Sequence, residues 1–218
     1  MRVRSALLVV GLLAAAHSHA ASAAPEVPIP IGIARLLPVG THVTVLGTVS
    51  TPSGAFNSSF GDNGFGLEDL FAGIYISIQD NPSVAPPQLA TVTGTLADQS
   101  GLLVIIPDDD AAVATFGRGL PVVPRRVRTV DVDAQTQGLI VQVHGTIVDG
   151  PNDDAPYGFK FLVDDGSGPI SIYINTATDI AMSSLALGDE VRITGFSSYY
   201  VDHDEIDPAT HGDVVVLP

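Results

Sequence analysis

One block of sequence occurs twice. Phe65-Gly66-Leu67-Glu68-Asp69, a four-residue interval and Ile74-Tyr75-Ile76-Ser77-Ile78 return as Phe161-Leu162-Val163-Asp164-Asp165, the same interval and Ile170-Ser171-Ile172-Tyr173-Ile174. The flanks recur in the same order. Val43-Thr44-Val45-Leu46-Gly47-Thr48-Val49 answers Val141-Gln142-Val143-His144-Gly145-Thr146-Ile147, Val92-Thr93-Gly94 answers Ile193-Thr194-Gly195, and Ile106-Pro107 answers Asp207-Pro208. The offset drifts from 98 to 96 to 101 along the pair, as happens when loops change length and strands do not. The chain is built from two copies of one small β module.

The first residues are of another kind. Arg2 and Arg4 precede an apolar run from Ala6 to Ala16 and then small residues from Ser18 to Ala24, the pattern of a secretory signal peptide over 1–24. The run is too short for a retained membrane span, and nothing later is long and apolar enough for one. These features predict a product without membrane insertion that is secreted or periplasmic. It has no cysteine, so each module depends on its own apolar core, which about 80 to 90 residues can supply.

Charge narrows the partners. The net charge is −15, and without Arg2 and Arg4 seven basic residues face 24 acidic ones, giving −17. A field of that sign repels a phosphate backbone. Four of the seven, Arg118, Arg125, Arg126 and Arg128, fall in one segment stiffened by Pro121 and Pro124. That segment, 117–128, divides the chain into domains 25–116 and 129–218. It reads as a solvated linker, or as a basic hinge for an anionic ligand or acidic neighbour.

In copy two, alternation gives a first strand through Leu139, Val141 and Val143, with Gly145 at a bend. A second runs through Tyr157, Phe159, Phe161 and Val163, and a third through Ile170, Ile172 and Ile174, across the turn Asp164–Pro169. Thr178 to Leu187 is expected to hold a short helix or turn, Val191 and Ile193 open the fourth strand, and Asp213 to Leu217 is expected to be the fifth. Three strands, a helical link and two strands is the order of an OB-fold. The fold class is therefore all-β, with two tandem five-stranded OB-fold Greek-key barrels after a signal peptide. Copy one differs in two ways. Its link, Asn81 to Leu89 with Pro82, Pro86 and Pro87, is too short for a helical plug, and Ser50 to Asp62 is a long Gly/Ser/Asn-rich insertion.

The segments Leu37–Thr41, Val43–Val49, Gly64–Asp69, Gly73–Tyr75 and Val92–Leu96 resemble those of bacterial exported OB domains classed as nucleic-acid-binding, often found beside extracellular nucleases. Copy two, with Tyr157–Phe161 and the Asp164–Gly168 turn, looks like a second member, so the resemblance covers nearly all of the mature chain. It implies a nucleic-acid ligand. The shared residues build strands and turns, so they speak for the fold before any ligand.

Catalytic signatures are absent from the sequence. There is no thiol, no Gly-x-Ser-x-Gly elbow, no His-Glu-x-x-His helix and no phosphate-cradling loop with its lysine. An enzyme is not expected, and no cofactor is called for. Asp202-His203-Asp204-Glu205, Asp108-Asp109-Asp110 and Asn152-Asp153-Asp154 are rich in oxygen ligands, yet their spacing matches no calcium loop, so no metal residue is assigned.

Binding remains. OB-folds present ligands around strands two and three. With Phe159, Phe161, Ile170, Ile172, Val191 and Ile193 inward, alternation puts Lys160, Tyr173, Asn175, Arg192 and His144 outward. Phe196, Tyr199 and Tyr200 are expected in a loop after strand four that extends a stacking platform. Lys160, Tyr173, Arg192, Phe196, Tyr199, Tyr200 and His144 are thus the candidate ligand residues. The expected ligand is a single strand or short oligonucleotide, with a protein or an oligosaccharide as the alternative partner. Domain one has Gly64, Ser77 and Thr91 where domain two has Lys160, Tyr173 and Arg192, so domain two is the expected binder.

Overall fold

The structure, a computed structural model, describes residues 27–218; the residues read as a signal peptide, 1–24, lie outside the described residues. The first sheet contains β1 (His42–Val49), β2 (Phe65–Glu68), β3 (Gly73–Ile76), β4 (Gln88–Gln99), β5 (Leu102–Pro107) and β6 (Val113–Arg118). They run β1-β2-β3-β5-β4-β6, and an extra β1–β4 pairing closes five of them into a barrel. The second sheet contains β7 (Arg125–Arg126), β8 (Ile140–Asp154), β9 (Gly158–Asp164), β10 (Ile170–Asn175), β11 (Glu190–Tyr200), β12 (His203–Asp207) and β13 (Val214–Val216). Its barrel is β8-β9-β10-β12-β11, closed by β11–β8. In each barrel the third and fifth strands are parallel and all other barrel pairs antiparallel. Two tandem OB-fold barrels are present.

The repeat is kept down to register. Val45 faces Val92 in the first barrel, and the equivalent Val143 faces Ile193 in the second. Inward positions fill two separate cores, one around Val45, Phe65, Leu67, Ile74 and Ile76, the other around Val143, Phe161, Val163, Ile172 and Ile193. The first strand of each barrel must bend sharply over the second, and glycine permits it. A Cβ at Gly47 would lie 2.7 Å from the Glu68 carbonyl oxygen, and one at Gly145 2.7 Å from that of Asp164.

Two expectations about the strands of copy two are corrected, those for its fifth strand and for the residues after its fourth. The fifth strand of copy two is β12, not Asp213–Leu217; that later segment contributes β13, an addition outside β11. Only Ile206 in β12 is apolar and fully buried, so its acidic residues read as loop. The link, expected to hold a short helix or turn, takes the turn form, with a 3₁₀ turn at Thr176–Thr178 and a hydrogen-bonded turn from Met182 to Leu185, and Ile180, Met182 and Leu185 pack on the core. The fourth strand runs through Tyr200, so Phe196, Tyr199 and Tyr200 lie on strand rather than loop. The basic segment is also paired at both ends, Arg118 through β6 to β4 and Arg125–Arg126 through β7 to β8.

The barrels pack on each other through a third core. The insertion after β1 carries α2 (Asn57–Phe60; α1 is the turn Ile31–Ala34, which plugs barrel one) and brings Ala55 and Phe56 against Tyr75, Leu102 and Val104 of barrel one and Ile140 and Phe196 of barrel two. Phe56–Phe196 and Tyr75–Phe196 ring centroids are 5.9 and 5.8 Å apart, within the range for favourable ring pairs. Backbones also meet. Gly73 and Gly138 approach so closely that a Cβ at Gly138, whose φ is +90°, would lie 2.4 Å from the Gly73 carbonyl oxygen. The Ile140 N–H donates to Glu68 Oε1 at 2.6 Å, and the Val201 N–H to the Ser100 carbonyl at 2.8 Å.

Candidate functional site

This packing decides which faces stay open. In barrel one the outward side of β3 and β5 carries Tyr75 and Val104, both fully buried under the insertion and Phe196. Asp62, at the end of that insertion, accepts hydrogen bonds from Tyr75 Oη at 2.7 Å and Ser77 Oγ at 2.6 Å. Burial, reinforced by the Asp62 charge, pushes the Tyr75 phenol well above its usual range. The first barrel's strand-three face is therefore structural. The equivalent face of barrel two is not fully covered.

On that second face, strand pairing sets Lys160 of β9 directly opposite Tyr173 of β10. The two are the cross-strand pair expected of a cation beside a ring. Lys160 Nζ lies 3.0 Å from His203 Nε2, and the His203 Nδ1 is 3.0 Å from Asp202 Oδ1. Glu205 Oε2 stands 3.6 Å from the same Nε2. The two Nε2 contacts exclude one another. A neutral ring accepts from the Lys160 ammonium, whereas a protonated ring turns an N–H towards Glu205 and repels Lys160. The hydrogen bond to Glu205, opposed by partial burial, raises the His203 pKa above its ordinary value. Protonation thus frees Lys160 and adds a second positive charge beside it.

Two hollows flank this group. One, about 470 Å³, is lined by Lys160, Leu162, Ser171, His203 and the Thr129–Val130 turn. The other, about 340 Å³, is lined by Phe60 and Ser59 of the insertion and by Asp154, Tyr157, Tyr173, Tyr200 and Glu205. Tyr173 donates to Asp154 Oδ2 at 2.8 Å; burial and that bond push its phenol pKa up. Tyr157 and Tyr200 are each about half exposed, at 53% and 51%, so the rim is aromatic and open.

The other predicted residues are placed elsewhere. Phe196 is fully buried between the barrels, because its outward row is where barrel two meets barrel one. The Tyr199 ring lies over Gly101 of barrel one, so closely that a Cβ on that glycine would come within 2.3 Å of it. Asn175, read as outward, is also buried and donates to Ser59 Oγ at 2.8 Å. Arg192 pairs with His144 on β8, eight positions along that strand from Asn152, the partner of Lys160. Bulges in β8 shorten that path, and along the regular β9 Lys160 lies four residues from Asp164, which faces Thr146 two residues from His144; six steps at about 3.3 Å is roughly 20 Å, so Arg192 and His144 do not join Lys160 in one site. The exposed His144 lines a separate hollow with Asp164, Asp165 and Glu190.

Sequence reasoning missed Phe60, Tyr157, Asp154, His203 and Glu205 as site residues. The last two stood in plain view as an acidic cluster, and only the strand assignment of β12 shows that alternation sends His203 and Glu205 to one face. Among the described residues, no group of three or more His, Asp or Glu side chains is placed to hold a metal ion.

No family model matches the chain, and no curated protein matches it. Among solved structures it is similar to the OBody AM1L10 bound to hen egg-white lysozyme (19% identity, covering 46% of this chain and 98% of that one, TM-score 0.37). It is also similar to a murine DNA binding protein bound with double-stranded DNA (11% identity, 80% and 96% covered, TM-score 0.41). A third is the Ifi202 HINa domain in complex with 20-bp double-stranded DNA (11% identity, 81% and 98% covered, TM-score 0.37). At these scores the likenesses carry no argument about what this chain binds.

Proposed function

We propose that this protein is an exported, non-catalytic nucleic-acid-binding protein that holds single strands on the outer face of its second barrel. The observation that carries the reading is the Lys160–Tyr173 cross-strand pair with His203 3.0 Å from the ammonium, set between two hollows on the one strand-three face left open. A ring for a base beside a cation for its phosphate is the minimal single-strand platform, with stacking worth about 1–3 kcal/mol per base. The net charge of −15 limits the contact to a short footprint, since no long basic track runs across the sheet. Arg2, Arg4 and the apolar run behind them support export. Among the described residues no helix is long and apolar enough to cross a membrane.

A second reading, an interaction module for a protein or an oligosaccharide, is favoured by the carboxylates of Asp154 and Glu205 among the tyrosines, a combination that also suits sugar hydroxyls. Titration of fluorescent oligonucleotides at low and moderate salt separates the two. Binding is expected at low salt, with Lys160→Ala weakening it and reducing the salt slope by about one. No binding at low salt, where a phosphate contact is strongest, would refute the nucleic-acid reading.

A further inference from the structure

The smaller hollow has a floor that the platform does not explain. Glu205 is only 5% exposed, yet the one side chain that reaches its carboxylate is His203, whose Nε2 stands a long 3.6 Å away. The register partners of Glu205 on either side, Ser171 on β10 and Ser198 on β11, are buried too, and both hydroxyls lack a partner. Buried polar groups are rarely left so, and two unpartnered hydroxyls on either side of a carboxylate that lines an open cleft mark a place where something else supplies hydrogen bonds. The walls above are Tyr173, Tyr200, Tyr157 and Phe60. None of these four rings stacks on another; Phe60 packs on Phe56 and Tyr75, and Tyr200 meets His203 edge-on, so the space between them is free for a flat guest.

We infer that this cleft receives one guanine base of a bound strand, with the aromatic rings as its walls and the Glu205 carboxylate accepting from guanine N1–H and N2–H₂. The inference rests on the nucleic-acid reading above and adds base choice to it. A carboxylate offers two acceptors side by side. Guanine alone presents two adjacent donors to match them; on adenine and cytosine the amino group sits next to a ring-nitrogen acceptor, and on thymine the single N–H lies between two carbonyls, so in each a lone pair would face a carboxylate oxygen. An ionised acceptor in a desolvated floor strengthens the match and penalises the mismatch. The neighbouring Lys160 and His203 lie where the strand's phosphate would be met, which also offsets the acidic floor.

The test uses the full mature chain and labelled nine-residue thymidine strands carrying one central G, A, C or T, read by fluorescence anisotropy at low salt. The G strand is expected to bind at least tenfold more tightly than the other three, in line with a bidentate base contact. Glu205→Gln is expected to collapse that difference, and Tyr200→Ala, at a half-exposed position that does not endanger folding, to shrink it as well. Equal binding of all four strands, or a G preference that survives both substitutions, overturns the guanine inference and leaves the nucleic-acid reading standing. Failure of every strand to bind removes both. Tyrosine fluorescence quenched by tetramethylammonium but not by guanosine monophosphate would make the cleft an organic-cation site and overturn the inference too.

Discussion

Glu68 supplies the sharpest test of how the barrels are joined. It ends β2, is 9% exposed, and holds the Ile140 N–H of the other barrel at 2.6 Å. Burial raises its pKa from 4.5 to about 7, although the Ile140 hydrogen bond and the Arg125 charge pull the other way. The sign follows from proton binding. Between pH 4.5 and 7 the folded protein keeps a proton that the unfolded chain has released, so stability falls as pH rises through that window. At about 1.4 kcal/mol per pH unit, the rise costs about 3 kcal/mol by pH 8. Glu68→Gln keeps an oxygen for the Ile140 N–H and cannot ionise. It is expected to match the parent near pH 4 and to exceed its stability by up to about 3 kcal/mol at pH 8. Urea unfolding of both proteins at pH 4, 6 and 8, compared by midpoint at common slope, reads the difference. Asp207, fully buried and also raised by burial, is common to both proteins and cancels. A difference that does not change with pH, or a variant less stable at pH 8, would refute the assignment of the cost to the buried carboxylate.

Phe196→Ala removes the ring that meets both Phe56 and Tyr75, and is expected to cost about 3–5 kcal/mol and to split unfolding into two transitions, visible by calorimetry. His203, its pKa raised chiefly by Glu205, contributes stability that is fully present below pH 6.5 and is lost as pH rises through its folded pKa. An NMR titration is expected to place its midpoint above 6.5, and oligonucleotide affinity is expected to rise as pH falls through that midpoint, because the protonated ring releases Lys160.

Inward residues were legible in the sequence and outward ones were not, for a physical reason. Val45, Val143, Phe161 and Ile172 occupy barrel interiors that any closed sheet of this order must fill, so period-two alternation reports them whatever lies outside. The outward set depends on what covers the sheet. Phe196 and Lys160 both alternate outward, and nothing local distinguishes the one that became a barrel–barrel contact from the one that stayed open. The insertion after β1 shows the same limit. Its Gly/Ser/Asn composition reads as loop, and only the fold reveals that Phe56 and Phe60 within it are anchors, one buried in the third core and the other lining the cleft. β12 was missed because its outward His203, Glu205 and Asp207 are polar, so the strand lacked the apolar alternation that marks the others.

The asymmetry of the two copies follows from a single contact. A sheet face that is buried cannot bind, and packing Tyr75 and Val104 under Phe56 and Phe196 removes the strand-three face of barrel one from solvent. The same packing consumes only one end of the equivalent face in barrel two, the end marked by Phe196 and Asp207, and leaves Lys160, Tyr173 and Tyr200 outside it. The insertion then serves two purposes at once, since Phe56 closes the joint while Phe60 and Ser59 emerge beside Tyr173 as one wall of the open cleft. Barrel one therefore contributes to the site as scaffold and wall. Isolated barrel two would lose that wall and expose Phe196, so any ligand selectivity of the cleft belongs to the fused pair and not to either copy of the repeat.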